Sequence, residues 1–390
     1  MKMKDIKEIG DAVFSSGLEN IYFTETSLCY IDGENGKLYY LGIPIEEIAN
    51  NSTFEESAYL LLYQKFPRKD ELDAFVNKLK ENRDIPEILL KEEELIPKNA
   101  HPMDVLRTIV SFVGMLDENA MSKNEEDVIE KSIKLTAILP TIIAYFHRIR
   151  NDLEIIRPNK KLNHAGNFLY MLKGKEPSDI EVEVFDKTLI LYLEHGMNAS
   201  TFSAIVTCST QSDLYSSIVS AIGTLKGPLH GGANEEAMKM LFEIEEKYNG
   251  DVEKYLKDKL SKKERIMGFG HRVYKAYDPR ARILKNLALK LADFTNNRKW
   301  VDMQIELEEK AGPILGEKNI YPNVDYYAAS IYYMLGIPFD LYTPIFAMAR
   351  VVGWCAHVLE YWKLGGRLLR PREKFKGELN KPYVKMEERR

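Results

Sequence analysis

The chain has 390 residues, 45% hydrophobic and 29% charged, with a formal net charge of −5. That length supports a large core or two ordinary domains, and the mixed charge leaves no basic face of the kind nucleic acid selects. No apolar run reaches the roughly 18 residues of a membrane span, no secretory leader follows Met1-Lys2-Met3-Lys4-Asp5, and the scattered Cys29, Cys208 and Cys355 read as free buried thiols of a reducing cytoplasm.

β-Structure is expected only near the N-terminus. Ser27-Leu28-Cys29-Tyr30-Ile31 and Lys37-Leu38-Tyr39-Tyr40 flank the turn Asp32-Gly33-Glu34-Asn35-Gly36, a hairpin pattern. Everything afterwards has helical period. Thr53-Phe54-Glu55-Glu56 is a capping box opening a helix to about Tyr63, and Ser178-Asp179-Ile180-Glu181 opens another to about His195. Residues 199–226 are rich in Ala, Ser, Thr and Gly and almost uncharged, which predicts close helix packing at the centre of the protein or at a subunit contact. Gly227-Pro228 ends that stretch and puts His230 in a loop between helices. Lys/Glu-rich amphipathic stretches fill residues 235–318, as in a smaller, more solvated helical domain. An apolar helix over 344–362 follows, with Thr343 as its cap and Pro344 in its first turn. From Leu364 the chain is a Pro- and charge-rich tail. Strands and helices do not alternate, so a sheet-based α/β fold is disfavoured. The expectation is an all-α protein with a large domain, 1–228 plus 338–390, and a small domain, 229–337.

Two of the seven histidines stand in glycine-rich turns: Gly227-Pro228-Leu229-His230-Gly231-Gly232 and Gly268-Phe269-Gly270-His271-Arg272-Val273. Glycine lets backbone approach a ligand closely because no Cβ intervenes, so His230 and His271 are candidates for chemistry. Asp278-Pro279-Arg280 reads as a helix start. A cation in that first turn is electrostatically misplaced unless an anion sits there. Asn323-Val324-Asp325 starts another helix, where Asp325 is either a cap or a base. Arg350 lies mid-helix among apolar residues, and a buried guanidinium requires either a protein carboxylate or an anionic ligand. His195, at the end of a helix, reads as a satisfied core histidine, and His101, His147, His164 and His357 read as structural. No Cys-x-x-Cys or His-Glu-x-x-His occurs, so no metal site is expected. Gly268-Phe269-Gly270 lacks the third glycine and preceding strand of a dinucleotide fingerprint. Arginines for a polyanion, a carboxylate base and imidazoles for a developing oxyanion suit proton transfer at a carbon acid.

Set in order, these motifs resemble the citrate synthase family nearly end to end. The resemblance runs through Gly17-Leu18-Glu19-Asn20, Ile31-Asp32-Gly33, the run from His101 to Thr108, and Glu194-His195-Gly196-Met197-Asn198-Ala199-Ser200-Thr201. It continues through Gly227–Asn234, Gly268–Lys275, Asp278–Ala281, Asn323–Tyr326 and Arg367–Arg372, in the style of the shorter bacterial and archaeal dimeric enzymes. It implies an all-helical two-domain subunit that condenses acetyl-CoA with oxaloacetate to citrate and CoA. By motif, Asp325 would take the methyl proton, His230 would stabilise the enolate, and His271 would polarise the ketone. His195, Arg280 and Arg350 would bind oxaloacetate together with His230 and His271, and Arg370 would reach the partner's site in a homodimer. Ile266, Met267, Gly268, Phe269, Gly270, Arg272 and Lys275 would meet CoA. No cofactor is implied, since acetyl-CoA is a substrate. The chain departs from the family at Leu41-Gly42-Ile43, commonly Arg-Gly-Tyr, and at Ile205, where many members carry arginine. The alternatives are a 2-methylcitrate synthase using propionyl-CoA and, more remotely, a non-catalytic acyl-CoA-binding protein of the same fold.

Overall fold

The computed structural model describes residues 7–9, 12–85 and 96–389. Helices dominate. Two three-residue strands, β1 (Lys7–Ile9) and β2 (Ala12–Phe14), pair antiparallel ahead of the expected hairpin. The hairpin itself is β3 (Cys29–Asp32) and β4 (Lys37–Tyr40), in the register Asp32↔Lys37 to Cys29↔Tyr40. A short β5 (Ile43–Pro44) adds a third strand beside β4, so β-structure is wider than the sequence patterns imply.

The helices in chain order begin with α1 (Ile45–Asn51), α2 (Phe54–Tyr63), α3 (Lys69–Glu81), α4 (Pro102–Met115), α5 (Glu125–Arg150) and α6 (His164–Lys173). They continue with α7 (Asp179–Tyr192), α8 (Ala199–Ser209), α9 (Leu214–Leu225), α10 (Ala233–Tyr248) and α11 (Val252–Ser261). Last come α12 (Pro279–Thr295), α13 (Lys299–Gly316), α14 (Val324–Met334) and α15 (Tyr342–Lys363).

The capping signals are mostly realised. Ser178 Oγ accepts from the Glu181 N–H and Glu181 returns a bond to Ser178, closing the box on α7. At α2 only half of the box forms. Thr53 accepts from the Glu56 N–H without a return bond from the Glu56 side chain, and the next N–H, of Phe54, donates to the buried Asp186 carboxylate. Asn323 and Asp325 are both capping types two residues apart, and Asn323 takes the role on α14. Its extended backbone lets its side chain accept from the Asp325 N–H, so Asp325 is not the cap. Thr343 does not cap α15, which begins one residue earlier. Its hydroxyl instead donates to the Gly231 carbonyl at 3.0 Å, pinning the turn that carries His230.

α15 is apolar on every side and almost wholly buried, as a helix at the centre of a large core should be. Around it pack α2, α5, α7, α8 and α9. The small residues of α8 and α9 let those two helices lie close, with the Ser203 and Ser220 hydroxyls 2.6 Å apart. α14 is covered by α10 and α12, which carry more charge. No described helix is long and apolar enough to cross a membrane.

The hairpin has a second task. Gly33 lies so close to the loop after His271 that a Cβ there would stand 2.4 Å from the Val273 carbonyl oxygen, and its own carbonyl accepts from the Lys275 N–H at 2.8 Å. Gly36, at φ +62°, meets Tyr277 in the same way. At the base of the hairpin the buried Tyr40 hydroxyl accepts from the Glu194 N–H at 3.2 Å and fastens the chain just before His195.

Candidate active site

Six of the residues singled out from sequence converge where α7, α12, α14 and α15 meet two glycine turns. His271 is held by its own loop. The N–H groups of Val273 and Tyr274 both donate to its Nδ1, at 3.0 and 3.2 Å. Nδ1 must therefore be the lone-pair nitrogen, and Nε2 carries the proton. His195 stands edge-on to His271 with ring centroids 5.0 Å apart, and its Nε2 lies 3.1 Å from the Tyr274 hydroxyl. Arg280, 2% exposed, forks onto Asp278 through Nε at 3.0 Å and Nη2 at 2.7 Å. The anion demanded by this helix start is thus the protein's own cap residue. Despite burial, Asp278 raises the guanidinium above its ordinary range.

A second group forms around Asp325. Its Oδ1 accepts from the Tyr192 hydroxyl at 2.9 Å. The Tyr192 carbonyl accepts from Arg350 Nε at 2.6 Å, and the Arg350 guanidinium lies 4.7 Å from the Phe346 ring centroid. Phe346 also meets the His230 ring edge-on at 6.2 Å. The two groups join through Asp278, whose Oδ2 accepts from the N–H of Val324 beside Asp325. Among the described residues the fully buried ion pairs are Arg280–Asp278 and His357–Glu194, and Arg350 belongs to neither. Arg350 is 1% exposed and has no carboxylate within ion-pair distance, although the charge of the buried Glu194 favours its protonated form.

His230 is positioned from α8 and α15. The Ser200 N–H, in the first turn of α8, donates to its Nε2 at 3.3 Å. A backbone N–H only donates, so the ring proton sits on Nδ1. The Ser200 hydroxyl, 2.8 Å from the same nitrogen, accepts from Trp354 on α15 at 3.1 Å.

The electrostatics are consistent across the site. Burial, aided by Arg280, pushes His271 down to about 4, and burial aided by Arg350 pushes His230 down to about 4. His195 falls well below its ordinary value for the same reasons. All three imidazoles are neutral donors at pH 7. Asp325 moves the other way, up to about 6, because burial outweighs its Tyr192 hydrogen bond and the pull of Arg280. A carboxylate tuned toward neutrality beside neutral imidazoles is suited to general-base work.

The loop expected to meet CoA is built onto the segment leading to Asp325, with Phe269 and Pro322 forming an isolated antiparallel bridge. The Asn323 N–H donates to the Gly268 carbonyl and the Gly270 N–H to the Tyr321 carbonyl, at 2.9 and 2.8 Å. Gly268, at φ +76°, leaves no room for a Cβ, which would stand 2.7 Å from the Tyr326 ring. Ile266 is buried and Met267 packs against the core, and a cavity of about 240 Å³ lined by Phe269, Tyr277, Ile320 and Tyr321 opens against the loop. Arg272 lies outside, in an exposed ion pair with Glu19, and Lys275 is exposed. Arg370 is not brought to this site. It stands exposed in the extended tail. His101, His147 and His164 also lie elsewhere. His101 caps α4 through Nδ1, and His164 stacks on Phe54 at 4.3 Å. Tyr192, Tyr274 and Ser200 touch the site residues without being singled out by the sequence, and Asp278 reads there only as the start of a helix. Among the described residues no group of His, Cys, Asp and Glu could hold a metal.

An all-helical fold with a buried carboxylate base, neutral imidazole donors and an unpaired buried arginine defines an enzyme of carbon-acid chemistry on an anionic substrate. The family model for the citrate synthase C-terminal domain matches residues 17–372. The citrate synthase of Deinococcus radiodurans is 47% identical over 378 residues, covering 96% of this chain and 99% of its own. A citrate/2-methylcitrate synthase of Bacillus subtilis is 40% identical over 365 residues, 93% of this chain and 96% of its own. Among solved structures, citrate synthase from Thermoplasma acidophilum in ternary complex with carboxymethyl coenzyme A and oxaloacetate superposes with a TM-score of 0.90. It is 34% identical, over 96% of this chain and 98% of the other. The chain belongs to the citrate synthase family.

Proposed function

We infer that this enzyme makes citrate and CoA from acetyl-CoA, oxaloacetate and water. The observation that carries this reading is the pairing of Asp325, its carboxyl raised to about 6, with imidazoles held neutral and with Arg350, a buried cation in no ion pair among the described residues. A thioester methyl is too weakly acidic for an unaided carboxylate, so the enolate must be stabilised as it forms. Asp325 takes the methyl proton. His230 donates its Nδ1 proton toward the thioester oxygen. The enolate carbon attacks the oxaloacetate ketone, whose oxygen faces His271 Nε2–H and takes that proton as the new alkoxide forms. Water then hydrolyses citryl-CoA. A neutral imidazole suits both donor roles, because its proton affinity is close to that of the oxyanion it meets. These donors supply the electrophilic help, so the reaction is assigned no metal or other cofactor.

His195, Arg280 and Arg350 hold the oxaloacetate carboxylates, with Arg370 arriving from the partner of a cytoplasmic homodimer. The loop 266–270 with Arg272 and Lys275 meets CoA. The segment 229–337 acts as a smaller domain that closes on the substrate, excluding water and completing the site. Saturating oxaloacetate is accordingly expected to lower the radius of gyration in small-angle scattering and to tighten CoA binding. Failure of both changes would refute closure.

The reading is tested by initial rates of CoA release with oxaloacetate. Acetyl-CoA is expected to give a kcat/KM at least about tenfold above that of propionyl-CoA, the scale set by one methylene in an apolar pocket. The 40% identity to a citrate/2-methylcitrate synthase favours the second reading enough to require this comparison. Equal or better use of propionyl-CoA establishes a 2-methylcitrate synthase, and no turnover with either overturns both readings.

A further inference from the structure

We propose that Tyr274 is a positioning residue for oxaloacetate, holding His195, His271 and Arg280 in one preformed cradle; the proposal rests on the function inferred above. Three separate parts of Tyr274 touch three different site residues. Its hydroxyl lies 3.1 Å from His195 Nε2. Its backbone N–H donates to His271 Nδ1 at 3.2 Å. Its ring lies 4.7 Å from the His271 ring and 5.9 Å from the Arg280 guanidinium. The residue is 2% exposed, and the next N–H is tied to Gly33 of the hairpin turn, so the segment has little freedom to drift.

Packing alone does not account for a tyrosine here. A buried hydroxyl is costly unless it is bonded, and His195 is its bonding partner in the fold. Phenylalanine would fill the same space without that cost. Burial raises the Tyr274 hydroxyl far above its ordinary range, despite Arg280 nearby, so at pH 7 it stands as a neutral hydroxyl beside His195. What the hydroxyl does is fix one nitrogen, and hence the plane, of an imidazole that otherwise swings on its Cβ bond. A ring already oriented loses no rotational freedom when the dicarboxylate arrives.

The test is Tyr274→Phe, which keeps the ring, the backbone N–H and the volume. In the wild type, ¹⁵N spectra of histidine-labelled enzyme, with His195 assigned from a His195→Gln variant, are expected to show one ordered His195 Nε2 resonance. In Tyr274→Phe that resonance should shift and broaden while His271 stays in place. The KM for oxaloacetate should rise about tenfold, the worth of one buried hydrogen bond, with the acetyl-CoA KM and kcat within about threefold. A merely structural tyrosine would lower the melting temperature and leave both the His195 resonance and the oxaloacetate KM unmoved. That result overturns the proposal, as does an equal loss in both substrate KM values. The spectra need no turnover, so they report on Tyr274 even where the inferred reaction itself fails.

Discussion

Asp325→Asn is expected to lose at least ~10²-fold in turnover, the ordinary contribution of a positioned general base, and yet to melt higher than the wild type at pH 7. Both effects come from one fact, the rise of the Asp325 carboxyl to about 6 in the fold. Between its ordinary value near 3.8 and about 6 the native chain holds a proton that the unfolded chain has released. Stability therefore falls as pH rises through that window, and the full penalty, about 3 kcal/mol, is present above it. Asparagine carries no charge, still accepts from the Tyr192 hydroxyl, and escapes the penalty. The gain in melting temperature should be largest at pH 7 and vanish below about pH 4. In the wild type, kcat/KM should fall as pH drops through about 6, because the base must be ionised to act. Near-normal turnover of purified Asp325→Asn removes Asp325 from the role. Lost activity with unchanged melting at pH 7 leaves the base but removes the penalty invoked for it.

The cost at Asp325 also shows why the site was only partly legible in the chain. His230 and His271 stood out because backbone must come close to something there, and the glycines that allow it are visible as letters. Arg350 stood out because nothing polar surrounds it in sequence, and nothing anionic pairs with it in the fold. Arg280 was legible for a reason that proved incomplete: its anion is Asp278, two residues away. Caps were misread by one or two residues at α14 and α15. At α14 two capping types stand two residues apart and the backbone angles choose Asn323, whereas α15 starts from Leu341, which has no capping side chain. β1, β2 and β5 have three residues or fewer, too short for alternation to register. The tyrosines were the real loss. Tyr192 and Tyr274 sit in apolar or motif-dense stretches where a hydroxyl gives no period and no spacing. Their partners, Asp325 and His195, lie 133 and 79 residues away. Such bonds exist only after the chain has folded.

A purified Arg370→Ala variant and a purified Asp325→Asn variant, each nearly inactive at low oxaloacetate, are expected to regain activity there when their subunits are exchanged. The argument starts from charge. Arg280 is neutralised by Asp278, the three histidines are neutral at pH 7, and Asp325 is an anion when it acts. Arg350, a buried cation in no ion pair, is left to receive a dicarboxylate. A second cation is needed, and Arg370 is available: it is exposed and forms no ion pair among the described residues. Its own chain holds it away. The Leu369 N–H is tied to Ser209 at the end of α8, and Pro371 keeps the backbone extended beyond it. The half-buried residues of α8 and α9, most of them small, would suit a twofold contact, which would carry this tail toward the other subunit's site. In a mixed dimer one site then holds both substitutions and the other neither. Random exchange should restore roughly a quarter of wild-type activity, half of the dimers being mixed with one intact site each. Arg370→Ala alone should raise the oxaloacetate KM strongly while the dimer stays folded. If mass spectrometry finds the mixed dimers and activity stays absent, Arg370 serves its own chain, and the missing cation must be sought elsewhere in the cleft.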